Sequence, residues 1–508
     1  MFFQNSLTNP IISQISFSMT SHFGTLLYTE IVNCVLRRYE NKHGLSSNND
    51  NLLTVYKRDL FRLGQMALQS LRKGELFFEE HEFAEKLIAL SKFGFLSLQA
   101  AGSKRNSRVR YAFLHKSFQE FFSGFYLACQ IIEGDIDCDS VVTDQSYKAE
   151  LNQVFYFMSG ILASLNEEIA ESLVKRIAVD INSISRNRYP DGPLSQRLLF
   201  ALRCVSGYPR LVGTLGERLN FTRLNFQDGS IEDSDVAPLS QALAANSSLY
   251  KFTLCGIWIG DSGVASLSQA LVKNSCLIHL DLSWTCVRDS GAESLSYALL
   301  ENASLRRLEL KWNDVGDSGA ESFSEALAKN SSLTHLDLRG NRIGANGAVS
   351  LFQAVAVNSS LITLDLRWNS ISDSSTASIS QALEANSTLN YLDLRANKFG
   401  YSGRAVLSSI CEKNTTVYVR FDDYDNFESF EGRVDASCSD YASHCADCDC
   451  DAPDCDCDCD CDCDCDLEDD FDHYSMSDHD SDDDHNDHQD DRDSGSEEDE
   501  YEEKHVIK

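Results

Sequence analysis

Residues 333–344 read LTHLDLRGNRIG. Leu333, Leu336 and Leu338 are apolar, with His335, Asp337 and Arg339 interleaved; Asn341 and Ile343 follow. The alternation around Leu336 and Leu338 is that of a short strand with one face buried. The same phase returns every 28 residues, led by Phe221, Leu249, Leu277, Leu305, Leu333, Leu361 and Leu389, with an apolar residue ten positions after each. Eight positions after the lead, the last four copies carry Asn313, Asn341, Asn369 and Asn397. An asparagine side chain can satisfy backbone groups where the chain turns. A helical stretch follows in each copy, marked by apolar pairs four apart such as Phe323 and Leu327.

One such unit cannot bury its own apolar face, so consecutive units stack. The pattern resembles the L-x-x-L-x-L-x-x-N-x-I form of a leucine-rich repeat at the long end of its period. The expectation over 219–421 is an α/β solenoid, a horseshoe with parallel strands inside and helices outside.

Strand positions facing away from the core form ladders. Four after the lead stand Asp281, Glu309, Asp337, Asp365 and Asp393; two further along stand Lys311, Arg339, Arg367 and Arg395. Next to these come Trp284, Trp312 and Trp368, with Gly340 and Ala396 interrupting. Arginine and aromatic anchors are what protein interfaces favour at their energetic centres. These twelve charged and aromatic residues are the candidate partner-binding surface. The competing reading is a set of solvated ion pairs that neutralise each other, worth about 0–1 kcal/mol each.

Two tempting motifs share the repeat phase and read as structural. GDSG occurs at 260–263 and 316–319, where a tight turn and Asp/Ser capping at a helix entry account for it. Asn246, Asn302, Asn330, Asn358, Asn386 and Asn414 each begin an N-x-S/T sequon just after a helix. Tolerance of the left-handed conformation at a helix end explains them better than glycosylation.

The net charge of −34 is uneven: residues 422–508 hold 36 acids against 4 bases, and residues 1–421 hold 42 against 40. The body is nearly neutral, with no basic surface expected for nucleic acid. Ten of the eighteen cysteines lie between 438 and 465, and the other eight are scattered. No signal peptide and no apolar run of ~20 residues is evident. The expectation is a reduced, cytoplasmic protein without a membrane span. With no paired nucleophile and base, no H-E-x-x-H and no Gly-rich phosphate loop, neither catalysis nor a cofactor is expected.

Residues 1–218 show no repeat and read as helical. Residues 59–71 carry an apolar stripe through Leu60, Leu63, Met66, Ala67 and Leu71, and residues 83–90 another. Residues 111–114 read as a short strand, 117–129 as an amphipathic helix through Phe118, Phe121, Phe122 and Phe125, and 151–205 as a helical block. The segments LYTEIVNCVLRRYE, FRLGQMALQSLRKGELFFEEHEF and YAFLHKSFQEFFSGFYLA resemble the winged-helix part of NOD-like receptors, the NACHT–LRR family. The following block resembles that family's second helical domain, and the 28-residue repeats its ribonuclease-inhibitor-type repeats. The resemblance implies a winged-helix-like region at 1–135, a helical domain at 136–218 and repeats at 219–421. It also implies that His115 takes the nucleotide-sensing place, donating to a β-phosphate. The sequence holds no G-x-x-x-x-G-K-[ST], so the family's NTPase core is missing from it and His115 is expected to be vestigial. Asn9, Pro10, Ile11 and Ile12 echo the end of that core.

The tail at 422–508 is expected to be disordered, because its charge density cannot form a core. Its Cys-Asp alternation admits a soft-metal reading, with His444, Cys445, Cys448 and Cys450 as ligands, beside that of a translated short repeat giving a solubilising tail. The functional expectation is a non-catalytic recognition protein that binds a protein partner or ligand, with self-association or docking on a NACHT-type NTPase as further contacts. The alternative is a scaffold or inhibitor resembling ribonuclease inhibitor.

Overall fold

The computed structural model describes residues 21–45, 51–79, 91–101, 108–184, 191–226, 231–413 and 416–421. The chain divides into two units, Met1–Cys445 and Ala446–Lys508, and the described residues all belong to the first. The stripe at 83–90, the segment at 9–12, Asn414 and the Cys-Asp tail lie outside the described residues.

The front part is built around one helix. Helices α1 (Ser21–His43), α2 (Leu52–Val55) and α3 (Lys57–Arg72) lead to a small antiparallel sheet of β1 (Phe77–Glu79), β2 (Leu96–Ala101) and β3 (Arg108–Phe113). Strand order is β1-β3-β2. The strand expected at 111–114 is the end of β3; β1 and β2 correct the helical reading of this part. Helix α4 (Lys116–Glu133) follows, with Phe121 and Phe122 fully buried. It is not amphipathic as expected. Gln119, Glu120 and Ser123 on its other sides are buried too, which is the pattern of a core helix. Most of its buried polar atoms are engaged: Gln119 Nε2 donates to Ser70 Oγ at 2.7 Å, and Ser123 donates to the Gln119 carbonyl at 2.7 Å, while Gln119 Oε1 has no partner. Close packing depends on Gly64 and Gly124. A Cβ on Gly64 would lie 2.2 Å from the Phe122 carbonyl, and one on Gly124 would lie 2.8 Å from the Met158 amide.

A helical stretch then runs through α5 (Cys138–Thr143), α6 (Asn152–Leu165), α7 (Glu167–Ile184), α8 (Asp191–Val205) and α9 (Pro209–Arg218). Helix α9 packs on the first repeat helix, and the carbonyls of Gly216 and of Leu219 just past its end accept from Asn246. It takes the place of one more convex helix ahead of the first strand.

The repeats form one eight-stranded parallel sheet, β4 (Arg223–Asn225), β5 (Lys251–Thr253), β6 (His279–Asp281), β7 (Arg307–Glu309), β8 (His335–Asp337), β9 (Thr363–Asp365), β10 (Tyr391–Asp393) and β11 (Tyr418–Arg420). The pairing Leu224↔Phe252↔Leu280↔Leu308↔Leu336↔Leu364↔Leu392 keeps the 28-residue step. The last pair, Leu392↔Val419, falls one residue short, so the eighth strand escapes the period. Convex helices α10 (Asp233–Ala245), α11 (Gly260–Lys273), α12 (Asp289–Glu301), α13 (Asp317–Leu327), α14 (Ala345–Val355), α15 (Thr376–Ala385) and α16 (Tyr401–Lys413) alternate with the strands. The lead leucines are buried, from Leu249 at 3% exposure to Leu333 at 0%.

Two asparagine ladders join the units. On the strand side, Asn341 donates to the Leu310 carbonyl at 2.9 Å and accepts from the Val315 amide at 3.0 Å, both in the preceding repeat. After the helices, Asn330 donates to the Leu299 and Asn302 carbonyls and accepts from the Ser332 and Leu333 amides. This corrects the left-handed expectation: Asn246, Asn274, Asn302 and Asn386 are extended, with φ between −77° and −86°. They are also buried with their amides engaged, which leaves Nδ2 no room for a glycan.

The GDSG aspartates are caps as expected, but each caps the helix of the next repeat. Asp261 Oδ1 accepts from Arg288 N at 2.8 Å and Gly291 N at 3.1 Å, and Asp317 Oδ1 from Gly344 N and Gly347 N; Asp289, at the same phase in RDSG, does so for Gly316 and Gly319. A Cβ at Gly319 or Gly347 would sit 2.8 or 2.7 Å from that oxygen. One copy lacks both partners. Ala345 replaces the aspartate, Ser375 replaces the facing glycine, and that helix opens with a 3₁₀ turn, Asp373–Ser375. Aspartate and glycine therefore form a matched pair. Ala345→Asp alone is expected to gain little, because the Ser375 side chain crowds the carboxylate. Combined with Ser375→Gly it should exceed the sum of the single changes by about 1 kcal/mol in urea unfolding; strict additivity would refute the pairing.

Candidate protein-binding face

In β5, β6 and β8 the middle residue is buried and the flanking residues look outward. Alternation thus puts the acidic and basic ladders on one face, as expected. Asp281, Glu309, Asp337, Asp365 and Asp393 are register neighbours across β6–β10. The register also reveals a third column that sequence reasoning passed over. Arg223, Lys251, His279, Arg307 and His335 stand two residues before the acidic column, then Thr363, Tyr391 and Tyr418. Its signal was present, since all of these residues but Tyr418 share the 28-residue phase; their mixed chemistry concealed it.

The acidic column is held by its neighbours. Glu309 takes His279 Nε2 and Lys311 Nζ, each at 2.9 Å. Burial works to raise its carboxyl, but the His279 hydrogen bond and the Lys311 charge win and keep it well below the usual carboxylate range. Lys311 is raised in turn: burial opposes its charge and Glu309 outweighs burial. Arg367 grips Asp365 with Nη2–Oδ2 2.6 Å and reaches Asp393 at 3.4 Å; Arg395 binds Asp393 at 2.6 Å. Tyr391 donates to Asp393 at 2.9 Å. Burial would lift Asp393, yet Arg395 and Tyr391 hold it down. These are partly buried, shared contacts rather than the solvated pairs of the competing reading.

Asp281 and Asp337 behave differently. Asp281 accepts from the Ser283 amide and hydroxyl, but burial and the nearby Glu309 charge raise it. Asp337 is raised to about 7, by burial and then by Asp365, because Arg339 stands 3.6 Å away and compensates only in part. His335 is pushed down to about 4 by burial and by Arg307.

The tryptophans lie just past the strands, at a position where the backbone turns left-handed: φ is 59° at Trp284, 53° at Trp312, 57° at Trp368 and 54° at Ala396. Glycine adopts this conformation without a Cβ penalty, and Gly256 and Gly340 hold the same phase. The half-buried indoles offset that penalty by packing on one another. Trp284 stacks on Trp312 at 5.2 Å and 21°; Trp312 meets Trp368 at 6.0 Å. The second contact spans a whole repeat because Gly340 has no side chain: a Cβ there would lie 2.4 Å from the Trp312 ring.

His115 lies far from these repeats in sequence. It is exposed and is the N-cap of α4, Nδ1 accepting from the Ser117 amide at 3.2 Å. The neutral ring therefore carries its proton on Nε2. That capping role was not anticipated. His444, Cys445, Cys448 and Cys450 lie outside the described residues.

Two outcomes follow from this geometry. A carboxyl raised in the folded state contributes stability that is present below its unfolded pKa, near 4, and lost as pH climbs through about 7. Asp337→Asn escapes that loss, so its gain in urea midpoint over the wild type should be larger at pH 8 than at pH 5. A constant gain would contradict the titration. Gly340→Ala should displace Trp312 from the stack, lowering stability and changing tryptophan emission; an unaltered spectrum would count against the ladder.

The leucine-rich repeat family model matches residues 273–296, 301–324, 329–352, 357–379 and 385–408. No curated protein matches the sequence significantly. Among solved structures, the actin-binding site 2 of leiomodin-1 is 16% identical, covering 34% of this chain and 86% of that one with a TM-score of 0.24. An internalin of Listeria monocytogenes is 19% identical, covering 42% and 56% with a TM-score of 0.28. The tropomodulin C-terminal domain of Caenorhabditis elegans is 18% identical, covering 30% and 93% with a TM-score of 0.25. Sequence period, strand register and the family match agree that residues 273–408 are leucine-rich repeats.

Proposed function

We propose that the chain is a non-catalytic recognition protein that binds a protein partner on the strand face of its repeats. The observation carrying this reading is the eight-stranded parallel sheet, whose outward positions are columns of charged, tyrosine and histidine side chains edged by stacked tryptophans. Buried leucines explain the inner positions but leave these columns unexplained. Arginine and aromatic groups on a rigid curved scaffold are suited to protein recognition.

Within that reading, the front part supports kinship of organisation with NOD-like receptors. A three-stranded antiparallel sheet set among helices, followed by a core helix headed by His115, is the order a winged-helix-like segment requires. The partner would then be met by the repeats, in the cytoplasm, while the front part docks on an NTPase of that family. The alternative of a ribonuclease-inhibitor-like blocker of a basic enzyme is weaker, because cations outnumber carboxylates on the three columns.

Affinity capture from cell extract with the full chain tests the reading. Arg307→Ala with Tyr418→Ala, on the strand face, should lose the captured proteins while thermal unfolding stays near wild type. Tyr297→Ala, exposed on α12, should retain them. Full retention by the strand-face variant would remove the strand face from the proposal.

A further inference from the structure

The three outward columns carry unequal charge. Among the described residues they hold five carboxylates, at positions 281, 309, 337, 365 and 393. Against these stand eight lysines and arginines: Arg223, Lys251 and Arg307 in the first column, Lys311, Arg339, Arg367 and Arg395 in the third, and Arg420 at the end of the acidic one. Burial sharpens the imbalance. The Asp365 and Asp393 side chains are 8% and 0% exposed, whereas Arg395 and Arg307 are 30% and 43% exposed. What a visitor meets is therefore cationic, although residues 1–421 as a whole are close to neutral. The raised Asp337 and Asp281 carboxyls push in the same direction.

We propose that the strand face is a docking surface for an extended acidic polypeptide segment of a partner protein. This rests on the protein-binding reading above and names the chemistry of the partner. The two outer columns lie four residues apart, about 13 Å; the basic residues of the first stand on β4, β5 and β7 and those of the third follow β7 to β10, so the two sets flank the acidic column together at Glu309. An extended chain laid over the acidic column, across the strands, sends alternate side chains to opposite sides. Its carboxylates can reach the first column's basic residues toward β4 and the third column's toward β10, with both in reach at Glu309, while backbone N–H groups face the acidic column beneath. A nucleic acid fits this surface less well. It brings uniform negative charge over a row of half-buried and buried carboxylates and has no backbone N–H groups to offer them.

The test uses the full chain and a fluorescein-labelled peptide of twelve glutamates, with fluorescence anisotropy as the readout. Lysine dodecamer and a twelve-nucleotide thymidine strand serve as comparison probes. Binding of the glutamate peptide, absent for the lysine peptide and weakening as salt is raised, is expected. Lys251→Glu with Arg307→Glu should weaken it at least tenfold. Lys251→Gln with Arg307→Gln, which cannot introduce a buried repulsion, should weaken it less, and the thermal unfolding of both should stay near wild type. Equal affinity for glutamate and lysine peptides, or an unaffected double charge reversal, overturns the proposal. So does tighter binding of the thymidine strand than of the glutamate peptide. Glutamate binding seen only when the chain is shortened after Cys445 assigns the face to the chain's own acidic residues and overturns the assignment to a separate partner. If the glutamate peptide fails while Arg307→Ala with Tyr418→Ala still loses captured proteins, the acidic partner falls and the protein-binding reading stands. If both fail, neither remains.

Discussion

Every level of the solenoid depends on buried asparagines that bond backward. A strand of three residues contributes too few ladder hydrogen bonds to fix its place, and each turn leaves backbone groups pointing into the core. Asn341 and Asn330, with their equivalents, satisfy those groups by reaching one repeat back. A buried polar side chain is costly when unpartnered and stabilising when all its bonds are made. Because each amide needs the preceding repeat, no unit completes its own hydrogen bonding, and stacking becomes obligatory. The leucines supply the driving force; the asparagines supply the register that holds the outward columns in line.

The regular part was the most legible in sequence, because the period imposes the same burial on every copy. Leu333, Phe323 and Ile343 fall in the core where their phase places them. What escaped depends on contacts between copies. The aspartate at 317 reads as a cap for the helix that it opens, yet its oxygen serves glycines 27 and 30 residues later. The asparagine sequons suggest a left-handed turn from local habit, whereas hydrogen bonds to the previous repeat keep them extended. The column of His279, Arg307 and His335 shares a phase but no chemistry, so spacing alone did not single it out. In the front part, β1 has three residues, too short for alternation to declare itself. The central helix looked amphipathic because its buried polar groups, Gln119 and Glu120, are the ones sequence habit assigns to water.

The tryptophan ladder shows how one local constraint can shape a surface. The left-handed turn after each strand favours glycine, and in three repeats an indole occupies it. The cost is offset only if the rings find partners, and they find each other. Trp312 crosses above Gly340 to do so, which makes a residue with no side chain part of an aromatic array. The same side chains that edge the charged columns therefore also stiffen the turns that position them. Electrostatics follow a similar logic. Carboxylates sunk beside the lysine and arginine column organise the guanidinium groups, and the face ends with more positive charge toward solvent than its composition suggests.

The copy bearing Ala345 and Ser375 has one more consequence. In a stacked array, strength resides in the contacts between neighbours, and a chain pulled at its ends parts where those contacts are fewest. Between α14 and α15 the aspartate cap is missing, the helix opens with a 3₁₀ turn, and the convex helices pack less extensively than their predecessors. That junction opens a weaker stretch, because α15 and α16 pack less extensively still. Under load the last repeats would peel away from there, the five strands from β4 to β8 staying together. The divide falls within the charged face, between Asp337 on one side and Asp365 with Asp393 on the other, so a visitor spanning all three would brace the junction.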